Sequence, residues 1–220
     1  MTTPGSAPQR FPGFDATRQA GTWDDVTKSV VLSRLIPPRS LVFFTAEEEP
    51  TARALVDCLL AQHDEPRIPV IEAIAERLLR KEGDGYRYSD MPEDGEAWKQ
   101  SIAGLDADAR ARHGRPFWDL KDIDQKDLVQ EVQDCKESWR GMPAGRVFSL
   151  WTRYACDAFY SHPWAWNEIG FGGPAYPRGY KNLGWSGREP WEVADASDLD
   201  PVPWAERVVA ARRRHEEGSP

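Results

Sequence analysis

The sequence contains few cysteines and histidines, and it lacks any long hydrophobic run. Its three cysteines, Cys58, Cys135 and Cys156, are widely spaced and form no Cys-x-x-Cys pair. No two of its four histidines stand at i, i+3 or i, i+4 spacing. These absences argue against a disulfide framework and against a metal site. No window approaches the roughly 18 apolar residues of a transmembrane helix, so we expect no membrane insertion.

A net positive charge is also lacking, since 36 Asp and Glu outnumber 28 Lys and Arg and the net charge is −8 at pH 7. A general nucleic-acid-binding protein needs a basic surface that displaces counterions from phosphates, so we expect no nucleic-acid partner. The first residues, MTTPGSAPQRFPGF, contain neither an apolar segment nor a twin-arginine pair. This pattern predicts a cytoplasmic protein without an export signal of its own, and export carried by a partner stays open.

Period-two alternation of apolar and polar residues is absent over any useful length, whereas apolar residues repeat at helical spacing in several segments. The predicted fold class is therefore all-α: an irregular helical bundle with long ordered arms rich in Pro, Gly and Trp. The segment AGRVFSLWTRYACDAFY has an apolar stripe so wide that it predicts a helix buried on more than one side.

The chain divides into three parts on composition. We predict an amino-terminal arm with a short helix over residues 1–40 and a helical domain over residues 41–184. A carboxyl-terminal arm with a short basic helix is predicted over residues 185–220. In the first arm, one helical face carries the apolar residues Val26, Val30, Val31 and Leu35.

Two sequence patterns have the spacing of a capping box. In this motif, the side chain of the residue that precedes a helix and the side chain three positions later each accept a hydrogen bond from the other residue's backbone N–H. The two patterns are Thr45 with Glu48, and Asp122 with Gln125. A further short helix is predicted to open at Asp106, after a separate helix that contains Trp98.

Residues 162–180, HPWAWNEIGFGGPAYPRGY, are unusually dense in aromatic residues, glycine and proline. Glycine permits positive φ and proline fixes φ, so this composition predicts a shaped loop rather than a helix or a strand. Such a loop either caps the core from outside or presents its rings to a partner. Its content of Trp, Tyr and Arg, which are the residues of binding hot spots, favours the partner.

Two catalytic or cofactor-binding interpretations of this segment are weaker. Gly170 and Gly172 have the spacing of a dinucleotide fingerprint, but a helix precedes them and Pro174 interrupts the pattern. His162 and Glu168 could form an acid–base pair, which defines the rival prediction of a free-standing enzyme. A helical interaction scaffold unrelated to redox chemistry is a third possibility.

Three segments of the chain resemble a known family. FYSHPWAWNEIGFGGPAYPRGY, residues 159–180, closely resembles the carboxyl-terminal signature of the gluconate 2-dehydrogenase subunit 3 family. FFTAEEEPTARALVDCLLAQ and GLDADARARHGRPFWDLKDIDQKDLVQEV resemble earlier segments of that family in the same order, and the resemblance extends roughly over residues 41–184.

The resemblance implies a small, cofactor-free subunit that supports the folding, the stability and often the export of a catalytic subunit. That partner would be an FAD-dependent dehydrogenase of the glucose–methanol–choline family, which oxidises an alcohol carbon of a sugar or sugar acid. Some members also work with a haem-bearing cytochrome subunit. Many members carry a twin-arginine signal, which these opening residues lack. This difference argues against a periplasmic complex with a cytochrome subunit, and it leaves two alternatives open: a cytoplasmic two-subunit flavoenzyme, or export that depends on the partner.

The residue content of the aromatic segment predicts a binding surface, and the resemblance implies that the molecule bound there is the catalytic subunit. Its large rings would supply contact area, and its glycines would allow close backbone approach. The amino-terminal arm, with Phe11, Phe14 and Trp23, would wrap the partner or bind the chain's own bundle. The residues expected to bind the partner are His162, Trp164, Trp166, Asn167, Glu168, Phe171, Gly172, Gly173, Tyr176, Arg178 and Tyr180.

Overall fold

The computed structural model describes residue 11 and residues 13–36, 43–181, 189 and 191–193. These residues are mostly helical, which confirms the all-α prediction. The elements in chain order are a 3₁₀ helix (Ala16–Thr22), α1 (Asp25–Ser33), α2 (Glu49–Leu60), α3 (Val70–Leu79), α4 (Asp94–His113), a 3₁₀ helix (Phe117–Asp119), α5 (Asp122–Asp134), β1 (Ser138–Trp139), β2 (Met142–Pro143), α6 (Ala144–Tyr160) and α7 (Pro163–Ile169).

Helix α6 is the centre of the bundle, and it contacts α2, α3, α4 and α5. Its wide apolar stripe is therefore buried on several sides, as predicted. The indole of Trp151 is fully buried and donates from Nε1 to Ser101 Oγ at 2.9 Å. The hydroxyl of Tyr154 donates to Asp94 Oδ2 at 2.6 Å. Both polar groups on this buried face thus have partners on α4, which avoids the cost of an unsatisfied donor.

One of the two predicted capping boxes is confirmed. The backbone N–H of Thr45 donates to Glu48 Oε2 at 2.9 Å, and that of Glu48 donates to Thr45 Oγ1 at 3.2 Å. The second box is wrong, because α5 is preceded by Lys121 without a side-chain cap. The amide of Gln125 instead donates to the carbonyl of Phe117 at 3.0 Å, which holds the 3₁₀ helix against α5.

The predicted helix break at Asp106 is also wrong, since α4 runs without interruption from Asp94 to His113. The Asp106 carboxylate caps no new helix. It accepts from Thr51 Oγ1 at 2.7 Å and from the backbone N–H of Phe117 at 2.9 Å, and so it joins α4 to two other elements. The short antiparallel hairpin of β1 and β2 was not predicted, because two-residue strands carry no period-two signal.

The amino-terminal arm forms a second, smaller core apart from the bundle. Its buried members are Ala16, Trp23, Val31 and Trp166. The arm's helix is confirmed as α1, but its predicted apolar face is split, because Val31 is buried while the other valines of that face are exposed. The predicted basic helix of residues 185–220 lies outside the described residues. Among the described helices, none is both long enough and apolar enough to cross a membrane.

Candidate partner-binding site

The aromatic segment begins with a helix rather than a loop, which corrects the prediction. Pro163 occupies the first position of α7, where its missing N–H costs nothing, and Gly170 ends the helix at φ 70°. His162 caps the helix, since its Nδ1 accepts the backbone N–H of Trp164 at 3.2 Å. Proline and glycine indicated a loop by composition, yet here they stand at the two helix ends, where both residues are favoured.

The imidazole of His162 is a buried structural group. It is 5% exposed and packs edge-on against Trp164 with ring centroids 5.0 Å apart. Burial lowers the pKa of His162 to about 4, although the backbone of Arg34 opposes this shift, so the ring is neutral at pH 7. A neutral Nδ1 can accept a hydrogen bond, and this protonation state is what the cap requires.

The proposed acid–base pair does not share a cavity. Glu168 lines a space of about 230 Å³ together with Trp164 and Phe159, but His162 does not line it. Burial raises the pKa of Glu168. Because the His162 imidazole already serves as a helix cap, this arrangement gives the free-standing enzyme no support from geometry. The described residues also contain no cluster of three or more His, Cys, Asp or Glu side chains that could hold a metal ion.

Trp166 lies in the small core and not on the surface. Only 4% of it is exposed, and its Nε1 donates to the carbonyl of Tyr160 at 2.6 Å. Its ring meets Phe171 edge-on at 5.4 Å, and the guanidinium of Arg34 lies 6.0 Å from its centroid. Trp166 therefore supports the segment from beneath and is not accessible to a partner.

Two hydrogen bonds fix the amino-terminal arm to the aromatic segment. Asn167 Oδ1 accepts the backbone N–H of Ala16 at 2.8 Å, and both residues are buried. Trp23 Nε1 donates to the carbonyl of Pro174 at 2.9 Å. Each bond has a backbone group on one side, the N–H of Ala16 or the carbonyl of Pro174. Nearly every residue type has such a group, so the sequence could not predict these bonds. The arm thus binds the chain's own fold, which is one of its two expected roles.

The glycines of the segment were expected to let a partner approach the backbone closely. In the structure, side chains of this chain's own amino-terminal arm make that approach. A Cβ on Gly170 would lie 2.7 Å from a ring carbon of Phe11, and a Cβ on Gly173 would lie 2.6 Å from Trp23 Cζ2. Only glycine admits these contacts without a shift of the neighbouring rings. The glycines therefore allow the arm to pack onto the segment.

The far end of the segment contacts both the amino-terminal arm and residues further along the chain. Arg178, expected to hydrogen-bond a partner, donates to Thr22 Oγ1 at 2.6 Å and stacks 3.9 Å from the ring centroid of Trp191. A Cβ on Gly172 would meet the same Trp191 ring at 2.7 Å. These contacts give both residues a structural role within the chain.

Four large side chains of the segment remain exposed after all these contacts. The exposed fractions are 52% for Ile169, 41% for Phe171, 66% for Tyr176 and 50% for Tyr180. We call these four residues the loop surface. The buried half of the segment holds them on a fixed scaffold, because His162 and its neighbours are hydrogen-bonded beneath them. Phe171, Tyr176 and Tyr180 were predicted as binding residues, whereas Ile169 was not.

A helical bundle that presents rigid, exposed aromatic side chains is typical of proteins that bind other proteins. The sequence model of the family described as gluconate 2-dehydrogenase subunit 3 matches residues 46–173, which is more than half of the chain. The chain belongs to this family. Its membership supports the role of an accessory subunit in an oxidoreductase complex. No curated protein and no solved structure matches the chain significantly.

Proposed function

We propose that this chain is a non-catalytic subunit that binds and stabilises an FAD-dependent dehydrogenase of the glucose–methanol–choline family, with a sugar or other alcohol as substrate. The FAD belongs to the partner, and the loop surface contacts that partner. One observation carries the proposal: large apolar side chains stay exposed on a segment whose other half is fixed in the protein interior. Family membership supplies the kind of partner.

The loop surface has enough apolar area to matter for binding. A fully buried Phe or Tyr removes about 150–250 Å² from water, so each half-exposed ring retains on the order of 100 Å². At about 25 cal/mol per Å², covering one such ring is worth roughly 2.5 kcal/mol before the costs of association. The scaffold beneath lowers those costs, because the backbone is already ordered.

Truncation of the loop surface tests this proposal. We expect the double variant Phe171→Ala, Tyr176→Ala to bind the purified flavoprotein at least roughly 100-fold more weakly, as for the loss of two hot-spot residues. The matched control is Trp118→Ala, Ile123→Ala, which removes two comparably exposed side chains near the start of α5. Unchanged affinity in the loop variant would count against the loop surface as the interface.

The rival enzyme hypothesis predicts a different behaviour. Under our proposal the isolated chain is colourless and inactive, and its co-expression with the flavoprotein yields a soluble yellow complex. Turnover of an alcohol substrate by the isolated chain, without flavin, would contradict the accessory role. A cytoplasmic location and the absence of a cytochrome stay predictions, which cell fractionation and the absorption spectrum of the complex would check.

A further inference from the structure

The connection between α3 and α4 lies on the outside of the bundle. We call residues 84–90 of this connection, DGYRYSD, the strap. No residue of the strap is buried. Among the described residues, no backbone N–H of the strap donates a hydrogen bond to another backbone group. The position of the strap on the bundle is therefore fixed mainly by its side chains.

The carboxylate of Asp84 joins the strap to two helices. One of its oxygens accepts from Arg77 Nη2 on α3, and the other lies 2.6 Å from Arg153 Nε on α6. The side chain of Asp84 is 21% exposed, and those of Arg77 and Arg153 are 25% and 28% exposed. Because water screens charges less at such partly buried positions, these two ion pairs are stronger than pairs on an open surface.

A second attachment lies at the other end of the strap. Asp90 pairs with Arg146 at the start of α6, and the guanidinium of Arg146 stacks over the Tyr88 ring at 4.1 Å. The Tyr86 ring meets Tyr88 edge-on at 5.7 Å. The side chains of Asp90 and Arg146 are 49% and 37% exposed, so solvent screens this pair more than the pairs of Asp84. In the described part of the chain, every hydrogen bond, ion pair and stacking contact between the strap and a helix involves an arginine.

The strap forms one wall of a cavity of about 500 Å³. Tyr86 and Arg87 line the cavity from the strap, whereas Leu78 and Tyr154 line it from α3 and α6. The Tyr154 ring is 1% exposed. Movement of the strap would therefore open the cavity on one side and change access to the helices behind it.

The two arginines that bind Asp84 also cover the ring of Tyr154. The guanidinium carbon of Arg77 lies 4.4 Å from the ring centroid, and that of Arg153 lies 5.8 Å from it. Cations at these distances over an aromatic face are attracted to the ring. Asp84 thus has two effects, because it fixes the strap and holds two cations over Tyr154.

Opening of the strap would leave the core of the bundle intact. The strap buries no residue, so hydrophobic burial does not oppose its opening. Asp84 stands between Gly83 and Gly85, whose backbones are permissive, and an added Cβ on Gly85 would meet no atom within 4 Å. The opposing contacts are ion pairs and cation–π contacts. Salt weakens the ion pairs, because the Debye length falls from about 10 Å at 0.1 M to about 3 Å at 1 M ionic strength.

We propose that the strap is a salt-sensitive lid, held closed by Asp84, that opens one wall of the cavity while the bundle stays folded. The open state separates Arg77 and Arg153 from their shared carboxylate and exposes the ring of Tyr154. This conformational device goes beyond the proposed function and does not depend on it.

Trypsin cleavage after Arg87 measures the open state, because a protease cuts a segment only when that segment leaves the protein surface. We expect cleavage at this site to accelerate at least about tenfold between about 0.1 M and 1 M NaCl, once the effect of salt on trypsin is corrected with a short peptide substrate. The variant Asp84→Asn should be cleaved at least about tenfold faster than the unchanged chain at the lower salt concentration, and salt should accelerate it little further.

The matched control is Asp122→Asn on α5. The carboxylate of Asp122 also pairs with two basic side chains, His63 at 3.4 Å and Lys126 at 2.9 Å, but it lies outside the strap. This control should leave cleavage after Arg87 unchanged. Thermal unfolding of both variants should stay within a few degrees of the unchanged chain, because neither substitution alters the core.

A second measurement follows the cavity itself. Oxidation of Tyr154 by hydroxyl radicals, read by mass spectrometry, should be at least about threefold faster in Asp84→Asn than in the unchanged chain, because opening exposes the ring. Trp151 is fully buried in the bundle core and should react equally in both.

Three results would overturn the inference. One is cleavage after Arg87 that neither salt nor Asp84→Asn accelerates. Another is faster cleavage accompanied by a large fall in Tm and faster oxidation of Trp151, since the strap would then open only with the whole bundle. The third is faster cleavage with unchanged oxidation of Tyr154, since the strap would then not control access to the cavity.

Discussion

The variant Gly173→Ala should detach the amino-terminal arm from the aromatic segment. Gly173 has φ +79°, a conformation that L side chains rarely adopt. An added Cβ would lie 2.6 Å from Trp23 Cζ2 and 3.4 Å from Trp166 Cζ3. The Trp23 ring cannot move far without breaking its hydrogen bond to the carbonyl of Pro174. The substitution therefore acts on both the backbone and the small core.

The magnitude follows from these two effects. The left-handed backbone costs an alanine about 1–2 kcal/mol, and forcing a methyl group into a packed site costs about 1–3 kcal/mol. The free energy of opening the arm should fall by roughly 2–5 kcal/mol, which is about a 30- to 5000-fold rise in the open population. Gly179→Ala is the control, since Gly179 has φ +68° but no atom within 4 Å of its added Cβ.

Hydrogen exchange at the Ala16 amide measures this opening, because that N–H is bonded to Asn167 across the contact. We expect faster exchange in Gly173→Ala than in Gly179→Ala, by at least about tenfold, with the amides of α6 unchanged in both. Equal exchange in the two variants would refute the argument that the Trp23 ring fills the space over Gly173.

The remaining predictions concern single side chains. Asn167→Ala leaves the buried Ala16 N–H without an acceptor and should make arm opening about 1–3 kcal/mol easier by hydrogen exchange, whereas Asn167→Asp, which keeps an acceptor, should restore most of the loss. The pKa of His162 is about 4 in the fold and 6.5 when unperturbed. Folding thus favours the neutral ring. The free energy of unfolding should therefore be at its maximum above about pH 6.5, and it should fall by at most about 3 kcal/mol as the pH drops to about 4. Denaturant titrations across this range check it, and a His162→Asn variant with the same pH dependence would contradict it. Trp151→Phe removes the donor to Ser101 Oγ in the bundle core and should lower Tm by roughly 2–10 °C, with arm exchange unchanged; an unaltered Tm would count against this bond.

The bundle could be predicted from sequence because its signals are local. Apolar spacing on α6 indicated a helix buried on several sides, and Thr45 with Glu48 indicated a cap that the structure contains. The Asp122 box and the break at Asp106 failed for different reasons. Asp122 is the first residue of α5 rather than the residue before it, and its carboxylate pairs with Lys126 one turn along the helix. The Asp106 carboxylate accepts from Thr51, 55 positions away, and sequence spacing carries no information about that contact.

The site could be predicted only in outline. The density of aromatic residues identified the segment, but not which rings are accessible. Trp166 and Tyr176 have similar sequence contexts, yet one is 4% and the other 66% exposed, because the amino-terminal arm covers only one side of the segment. That cover depends on contacts between residues about 150 positions apart, such as Ala16 with Asn167. The exposure of Val26 and Val30 was not predicted, because the sequence placed them on one helical face with Val31, which is buried.

The most direct test of the account is affinity purification of the tagged chain after co-expression with its flavoprotein, with the flavin absorption of the retained material as the readout. The account predicts a soluble yellow complex for the unchanged chain and for Trp118→Ala, Ile123→Ala. It predicts a colourless, flavoprotein-free product for Phe171→Ala, Tyr176→Ala. Equal flavin retention by the loop variant and the unchanged chain would contradict the central claim that the loop surface docks the catalytic subunit.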